Sequence, residues 1–150
     1  MGQFVTVDLT EVMKFKSFMD RISYSYKKTR AVSEELEDIA NDMRNYIIDG
    51  MTNTKKSTTG YKWGSGTHYP SLPGNMPARR DGGLIGSITY AAYANKIEIG
   101  SKIGAPYAVY LEDEEGKRGD NARPFLQPTL DHFSPSIEKR LWKKIKEVTR

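Results

Sequence analysis

Five of the chain's seven prolines fall between Ser71 and Leu130 (Pro73, Pro77, Pro106, Pro124 and Pro128), whereas Gln3 to Asp49 contains neither proline nor glycine. Proline locks its own φ, removes a backbone donor and ends regular elements. The first third can therefore run as long helix, and the Ser71–Leu130 stretch must be built from short pieces. This contrast constrains the fold more than the composition does.

In the proline-free part, apolar residues recur at Val12, Phe15, Met19, Ile22 and Tyr26, then at Leu36, Ile39, Ala40, Met43 and Ile47. That three-four spacing places them on one helical face. Gln3 to Asp8 alternates and reads as a short strand, after which Thr10 is an N-cap with Glu11 in the first turn. Lys27–Ser33 interrupts the stripe, and Ser33 with Glu34 and Glu35 resembles a new start. The reading is one bent helix or two over about Thr10–Asp49, stopped by Gly50.

Residues Thr52–Pro77 are poor in apolar side chains and carry four glycines (Gly60, Gly64, Gly66, Gly74). They read as a long extended loop or arm. Tyr61, Trp63, His68 and Tyr69 stand there among Lys55, Lys56 and Lys62, so the arm is a candidate partner-binding element. Aromatic rings to stack on bases and lysines to meet phosphates would equally serve single-stranded nucleic acid.

After the arm, Asp81 is placed to cap a helix over Gly82–Tyr90 that buries Leu84, Ile85 and Ile88. Ala94–Lys102 alternates Ile97 and Ile99 with Lys96 and Glu98, the period of a half-buried strand. Ala105–Glu112 reads as a helix with Pro106 in its first turn and Tyr107, Tyr110 and Leu111 on one face. Glu112–Glu115 reads as a solvated acidic turn, because it lacks the alternating ligand spacing of a calcium loop. Arg123, Pro124, Phe125 and Leu126 then form an anchor, with Arg123 an expected ion-pair donor to Glu112 or to a neighbour. Ser134 and Pro135 are expected to start a last helix with Ile137, Leu141, Ile145 and Val148 buried.

Charge is unevenly distributed. Glu34–Asp49 holds six acids against Arg44, a net −5, and Glu138–Arg150 holds six bases against two acids, a net +4. The segments are either two solvated faces or partners that meet within or between subunits. At 150 residues one domain, 1–150, accommodates the chain, and a 37% hydrophobic content makes its core lean. A lean core suits a subunit that completes its burial against neighbours.

Several chemistries are excluded or unsupported. The chain has no cysteine, hence no disulfide, thiolate metal site or cysteine nucleophile. His68 and His132 are far apart in sequence and show no paired metal-ligand spacing. Gly64-Ser65-Gly66 lacks the context of a nucleophile elbow, and no phosphate-binding glycine loop is present. No apolar run reaches the length of a membrane span, so the chain reads as soluble and outside the membrane. No catalytic residue, metal or cofactor is assigned, and the reading is of a non-enzyme.

The order of pieces in the Ser71–Leu130 stretch resembles the small head-tail joining proteins of tailed bacteriophages, known as neck or tail-completion proteins. The resemblance rests on Asp81-Gly82-Gly83-Leu84 with Ser87-Ile88, on Ile99-Gly100, on Tyr107-Ala108-Val109-Tyr110-Leu111-Glu112, and on Ala122-Arg123-Pro124-Phe125-Leu126 with Pro128 and Leu130. Asp81 stands where that family usually has threonine. The resemblance implies a structural subunit of the virion neck, assembled in the host cytoplasm, whose ring of six copies joins the head and portal complex to the tail. Its partners would be copies of itself, a head-side connector or stopper, and a tail terminator or tail-tube protein. DNA would pass through the channel without sequence-specific contact.

The residue roles follow from the match for the structural motif and, for Tyr61, Trp63, His68 and Tyr69, from the aromatic arm that precedes the matched stretch. Gly83, Leu84, Ser87, Ile88, Tyr107, Tyr110, Pro124 and Leu126 set the structural motif. Tyr61, Trp63, His68, Tyr69, Glu112, Arg123 and Phe125 reach partners. The expected fold is α+β: a long N-terminal helical segment and a C-terminal helix packed on a small, mainly antiparallel sheet. The alternative function is a nucleic-acid-binding module that uses the basic C-terminal helix and the aromatic arm.

Overall fold

The computed structural model describes residues 3–8, 26–102, 108–112 and 122–148. Thr10, the first apolar stripe from Val12 to Ile22, Pro106, Tyr107 and the acids at 113–115 lie outside the described residues. The fold is α+β, as the sequence pattern predicts.

Its longest element is helix α1, Tyr26–Asn53, which buries Val32, Leu36, Ile39, Ala40, Met43, Ile47 and Met51 along one face. Each fully buried Leu, Ile or Met there contributes about 1.5–3 kcal/mol relative to exposure. Of the two alternatives, one bent helix or two, the described part fits a single helix, and the expected stop at Gly50 fails. It runs without a break through Lys27–Ser33, because Ala31 and Val32 are buried and extend the stripe toward the N-terminus. It also passes through Gly50 to Asn53. A Cβ at position 50 would strike the Met76 side chain, so the glycine serves a close approach inside the helix rather than a stop.

Three strands form the main sheet, with Lys96–Ser101 central between Gln3–Asp8 and Ile88–Ala92. Strand β1, Gln3–Asp8, runs antiparallel to β5, Lys96–Ser101, with Gln3 opposite Ser101 and Asp8 opposite Lys96. Strand β4, Ile88–Ala92, pairs with the other edge of β5 from Ile88↔Ser101 to Ala92↔Ile97. Ile97 and Ile99 of the central strand point into the core, while Lys96 and Glu98 face the other way and form a 2.7 Å ion pair. That ion pair holds the Glu98 carboxyl below its ordinary range, and the Tyr93 hydroxyl adds to the effect.

The predicted Gly82–Tyr90 helix is shorter than expected. Helix α2 spans only Gly83–Ser87, and Ile88–Tyr90 belong to β4. Alternate residues Ile88, Tyr90 and Ala92 all pack on the core, a period-two pattern that wins once β5 lies alongside. Beyond β5, helix α3, Ala108–Glu112, contains Tyr110 and buries Ala108.

The chain closes on helix α4, Leu126–Val148, which packs lengthwise on α1. Phe125, Leu126, Ile137, Leu141 and Ile145 are buried there, but Val148 is exposed, contrary to expectation. Ser134 and Pro135 do not start this helix; they lie inside it. The Ser134 hydroxyl donates to the Leu130 carbonyl, and Pro135 is exposed and supplies no amide to Asp131 one turn back. The stripe from Phe125 to Ile145 is continuous, and its burial overrides the local start signal.

The opposite charge fields of the two helices meet within the chain. Arg140 of α4 forks between two carboxylates of α1, its Nε at 2.7 Å from Glu35 and its Nη1 at 2.7 Å from Asp42. Residues 35 and 42 are two helical turns apart on one face, so a single guanidinium sets the register between the helices.

Candidate functional site

Within the Thr52–Pro77 stretch, residues 55–72 form a β-ribbon. Strand β2, Tyr61–Trp63, pairs antiparallel with β3, Gly66–His68, so that Tyr61 faces His68 and Trp63 faces Gly66. Gly64 takes φ +58 in the two-residue turn, a conformation that favours glycine. Below the hairpin the two arms stay joined: the Ser57 amide donates to Pro70, the Leu72 amide to Lys55, and the Thr54 hydroxyl to Met76. The ribbon is thus a hydrogen-bonded arm rooted at the C-terminal end of α1.

Its aromatic side chains are uncovered by the described chain. Tyr61, Trp63 and Tyr69 are 46%, 48% and 45% exposed, high for rings that would ordinarily be largely buried. Trp63 is held in place on one face, with the Arg80 guanidinium 3.6 Å from its ring centroid. His68 lies edge-on to Tyr61 at 5.3 Å. Partial burial pushes the His68 imidazole below its usual value, and the positive charges of Arg80 and Lys56 lower it further against a smaller opposing effect of Asp81. These effects favour the neutral imidazole.

Under the ribbon, a cleft of about 610 Å³ opens toward α2. Buried Met51 and Leu84 line it together with half-buried Ile85 and Leu111. The exposed residues Arg79 and Arg80 and the half-buried Arg123 line it too, and Asp81 is the carboxylate among its described lining residues. Asp81 accepts a 3.0 Å hydrogen bond from the Gly83 amide, which holds its carboxyl below the ordinary aspartate range. Asp81 is not the N-cap as expected: the left-handed Gly82 holds that position without a side-chain cap, and the Asp81 carboxylate meets the first helical amide from one residue earlier.

Ser71 also lines the cleft. It is fully buried, and its hydroxyl is the one buried side-chain polar atom among the described residues with no hydrogen-bond partner. Its carbonyl accepts from Arg123 Nε at 3.0 Å, which fixes the guanidinium beside it across 52 residues of sequence.

The pieces of the Ser71–Leu130 stretch interlock. Glu112 Oε1 accepts the amides of Phe125 (2.6 Å) and Leu126 (2.7 Å), so the first acid of the predicted turn caps α4 instead of reaching out. The Arg123 amide donates to Leu111, and the Lys102 amide to Ser87. Ser87 is buried with its hydroxyl on the Leu84 carbonyl, and Leu84, Ile88, Pro124 and Leu126 are also buried, while Gly83 is exposed. Phe125 is fully buried in the core, so it does not contact a partner as the sequence reading expected.

The structure thus gathers Tyr61, His68 and Arg123 around one cleft, exposes Trp63 and Tyr69, and assigns Glu112 and Phe125 to internal structure. Sequence reading missed Arg79, Arg80 and Ser71. The adjacent arginines ahead of Asp81 are a visible signal, but nothing local marks Ser71.

His132 is remote from this region and stacks on Tyr46, with ring centroids 4.4 Å apart. Among the described residues no group of three or more His, Cys, Asp or Glu is arranged to hold a metal ion, and no helix is long and apolar enough to cross a membrane. Comparison with known protein families, curated proteins and solved structures gives no match to this chain.

Proposed function

We propose that this protein is a structural subunit of a tailed-phage neck: a ring of six copies that joins the head and portal complex to the tail, and that works through interfaces, not catalysis. The observation that carries this reading is the interlocking of the four segments behind the family resemblance. They are hydrogen-bonded in two pairs, the chain just after β5 to α2 through the Lys102 amide and the Ser87 carbonyl, and α3 to the Arg123–Leu126 anchor through Arg123 to Leu111 and Glu112 to the Phe125 and Leu126 amides. Leu84, Ile88, Ile99, Ala108, Phe125 and Leu126 share one hydrophobic core.

In this reading the ribbon is the arm that docks on the head-side connector or on the tail terminator, burying Tyr61, Trp63 and Tyr69. Rings of this size anchor interfaces when they fill a partner's pocket. DNA passes through the ring without base-specific contacts. The protein resides in the virion neck after assembly in the host cytoplasm.

A nucleic-acid-binding module is the second reading, favoured by the exposed rings beside Lys55, Lys56 and Lys62. The pairing of Arg140 with Glu35 and Asp42 removes one cation from the basic helix it would use. The test is complementation of a neck-deficient phage with the Tyr61→Ser/Trp63→Ser/Tyr69→Ser variant, alongside a gel shift of the parent on single-stranded DNA. The neck reading expects filled heads and free tails that do not join, and no gel shift. Normal joining by the folded variant, with a steeply salt-dependent shift by the parent, would replace it with the second reading.

A further inference from the structure

From Thr52 to Arg80 the chain carries five basic residues and no acid. Lys55, Lys56 and Lys62 of the ribbon are exposed, and their ammonium groups have no ion pair among the described residues. Lys62 alternates with Tyr61 and Trp63 along β2, so it stands on the face of the ribbon away from those rings. That face is left over when the rings dock on a head or tail partner.

Helix α1 presents the opposite charge. Glu37, Asp38 and Asp49 are exposed, and their carboxylates also have no ion pair among the described residues, whereas Glu34 is held by Arg30 and Asp42 by Arg140. At 3.6 residues per turn the three fall within about a third of the helix circumference, on the side away from the buried stripe, and Glu37 to Asp49 spans about 18 Å. From Lys56 to Lys62 an extended ribbon spans up to about 20 Å. Two rows of opposite charge and similar length are therefore unused inside one chain. A nucleic acid on the ribbon would bring its phosphates toward Asp49, six residues before Lys55, and would leave the acidic row uncovered. A second copy of the chain satisfies both rows, and because the contact joins unlike surfaces it repeats around a ring.

We propose that the ribbon of each copy lies by its lysine face on the exposed acidic side of α1 in the next copy, and that this head-to-tail contact closes the ring. It rests on the ring reading above and names the surfaces that would make the ring.

The test is native mass spectrometry of the full chain and of two charge-reversed variants, Lys55→Glu/Lys56→Glu/Lys62→Glu and Glu37→Lys/Asp38→Lys/Asp49→Lys, each checked for folding by circular dichroism. Each variant alone should stay monomeric, because its ribbon and its helix carry like charge. Mixed in equal amounts they should form rings in which the two alternate, three of each, since every contact again joins opposite charges. Lys62→Gln alone should weaken assembly about two- to fivefold, the range of one exposed ion pair. The parent ring should loosen as salt rises from about 50 to about 500 mM. Rings formed by either folded variant alone would overturn the docking and leave the ring reading standing; if the lysine variant also lost a gel shift on single-stranded DNA that the parent shows, the lysines would belong to nucleic acid. A mixture that stays monomeric, or stops at one-to-one dimers, would equally overturn it. Should a triple variant not fold, unchanged assembly in both Lys62→Gln and Asp38→Asn would have the same force. A parent that is monomeric at every concentration and salt would overturn the docking and the ring together.

Discussion

Replacing Arg140 by methionine tests how the two long helices are joined. Methionine keeps an unbranched stem packed between α1 and α4 and deletes only the charge and the donors. The two carboxylates it releases are unequal. The Glu35 side chain is 13% exposed and would be left as a nearly buried, uncompensated charge at a cost of about 1–3 kcal/mol. The Asp42 side chain is 48% exposed, so water replaces its partner and the loss is about 0–1 kcal/mol.

The expected total for Arg140→Met is therefore about 2 kcal/mol, and at about 2–4 °C per kcal/mol for a chain of this size, Tm should fall by about 4–8 °C. Urea unfolding of the single variants and of Arg140→Met/Glu35→Gln and Arg140→Met/Asp42→Asn gives the two coupling energies separately. The coupling to Glu35 should exceed that to Asp42 at least twofold, and Glu35→Gln should recover much of the loss in the Arg140→Met background. A loss under about 0.5 kcal/mol, or a larger coupling to Asp42, would refute the ordering of buried over exposed partner.

Other changes probe the remaining joints. Glu112→Ala removes the acceptor for two amides at the start of α4 and should cost about 1–2 kcal/mol by denaturant unfolding, with Glu112→Gln costing less because an oxygen remains. Pro135→Ala restores an amide donor inside α4 at an exposed position and should stabilise the protein by about 1–3 kcal/mol. Trp63→Ser loses one cation–π contact and should cost no more than about 1 kcal/mol, so a large effect on head-tail joining could not be assigned to unfolding. Asp81 contributes stability that is present above its unfolded pKa of about 3.9 and is lost as pH falls through its lower folded value; Asp81→Asn should flatten the acid limb of a stability curve below about pH 4.

Features with a short repeat were legible in the sequence, and features made by distant residues were not. The three-four stripe from Leu36 to Ile47 and the alternation at Ile97 and Ile99 appear in the fold as α1 and β5, because each pattern alone determines which face is buried. Glycine and proline signals were overruled where tertiary contact made the opposite conformation better: Gly50 by the approach of Met76, Ser134–Pro135 by the unbroken apolar face of α4. The Gly82–Tyr90 reading was wrong at its end because pairing with β5 recruits Ile88–Tyr90.

At the candidate site, the exposed rings were visible as an aromatic cluster in a stretch poor in aliphatic residues. The Glu112 cap, the Arg140 fork and the Ser71–Arg123 contact were not, since they link residues 13, 105 and 52 apart. Only their general charge balance could be seen.

The central claim, that this chain is one piece of an annulus, is tested most directly by its native mass at high concentration. Mass spectrometry under native conditions should find six 17.0 kDa chains, about 102 kDa, with a closed ring in negative-stain images of the same sample. A single 17.0 kDa species that persists at every concentration, with no ring, would contradict it.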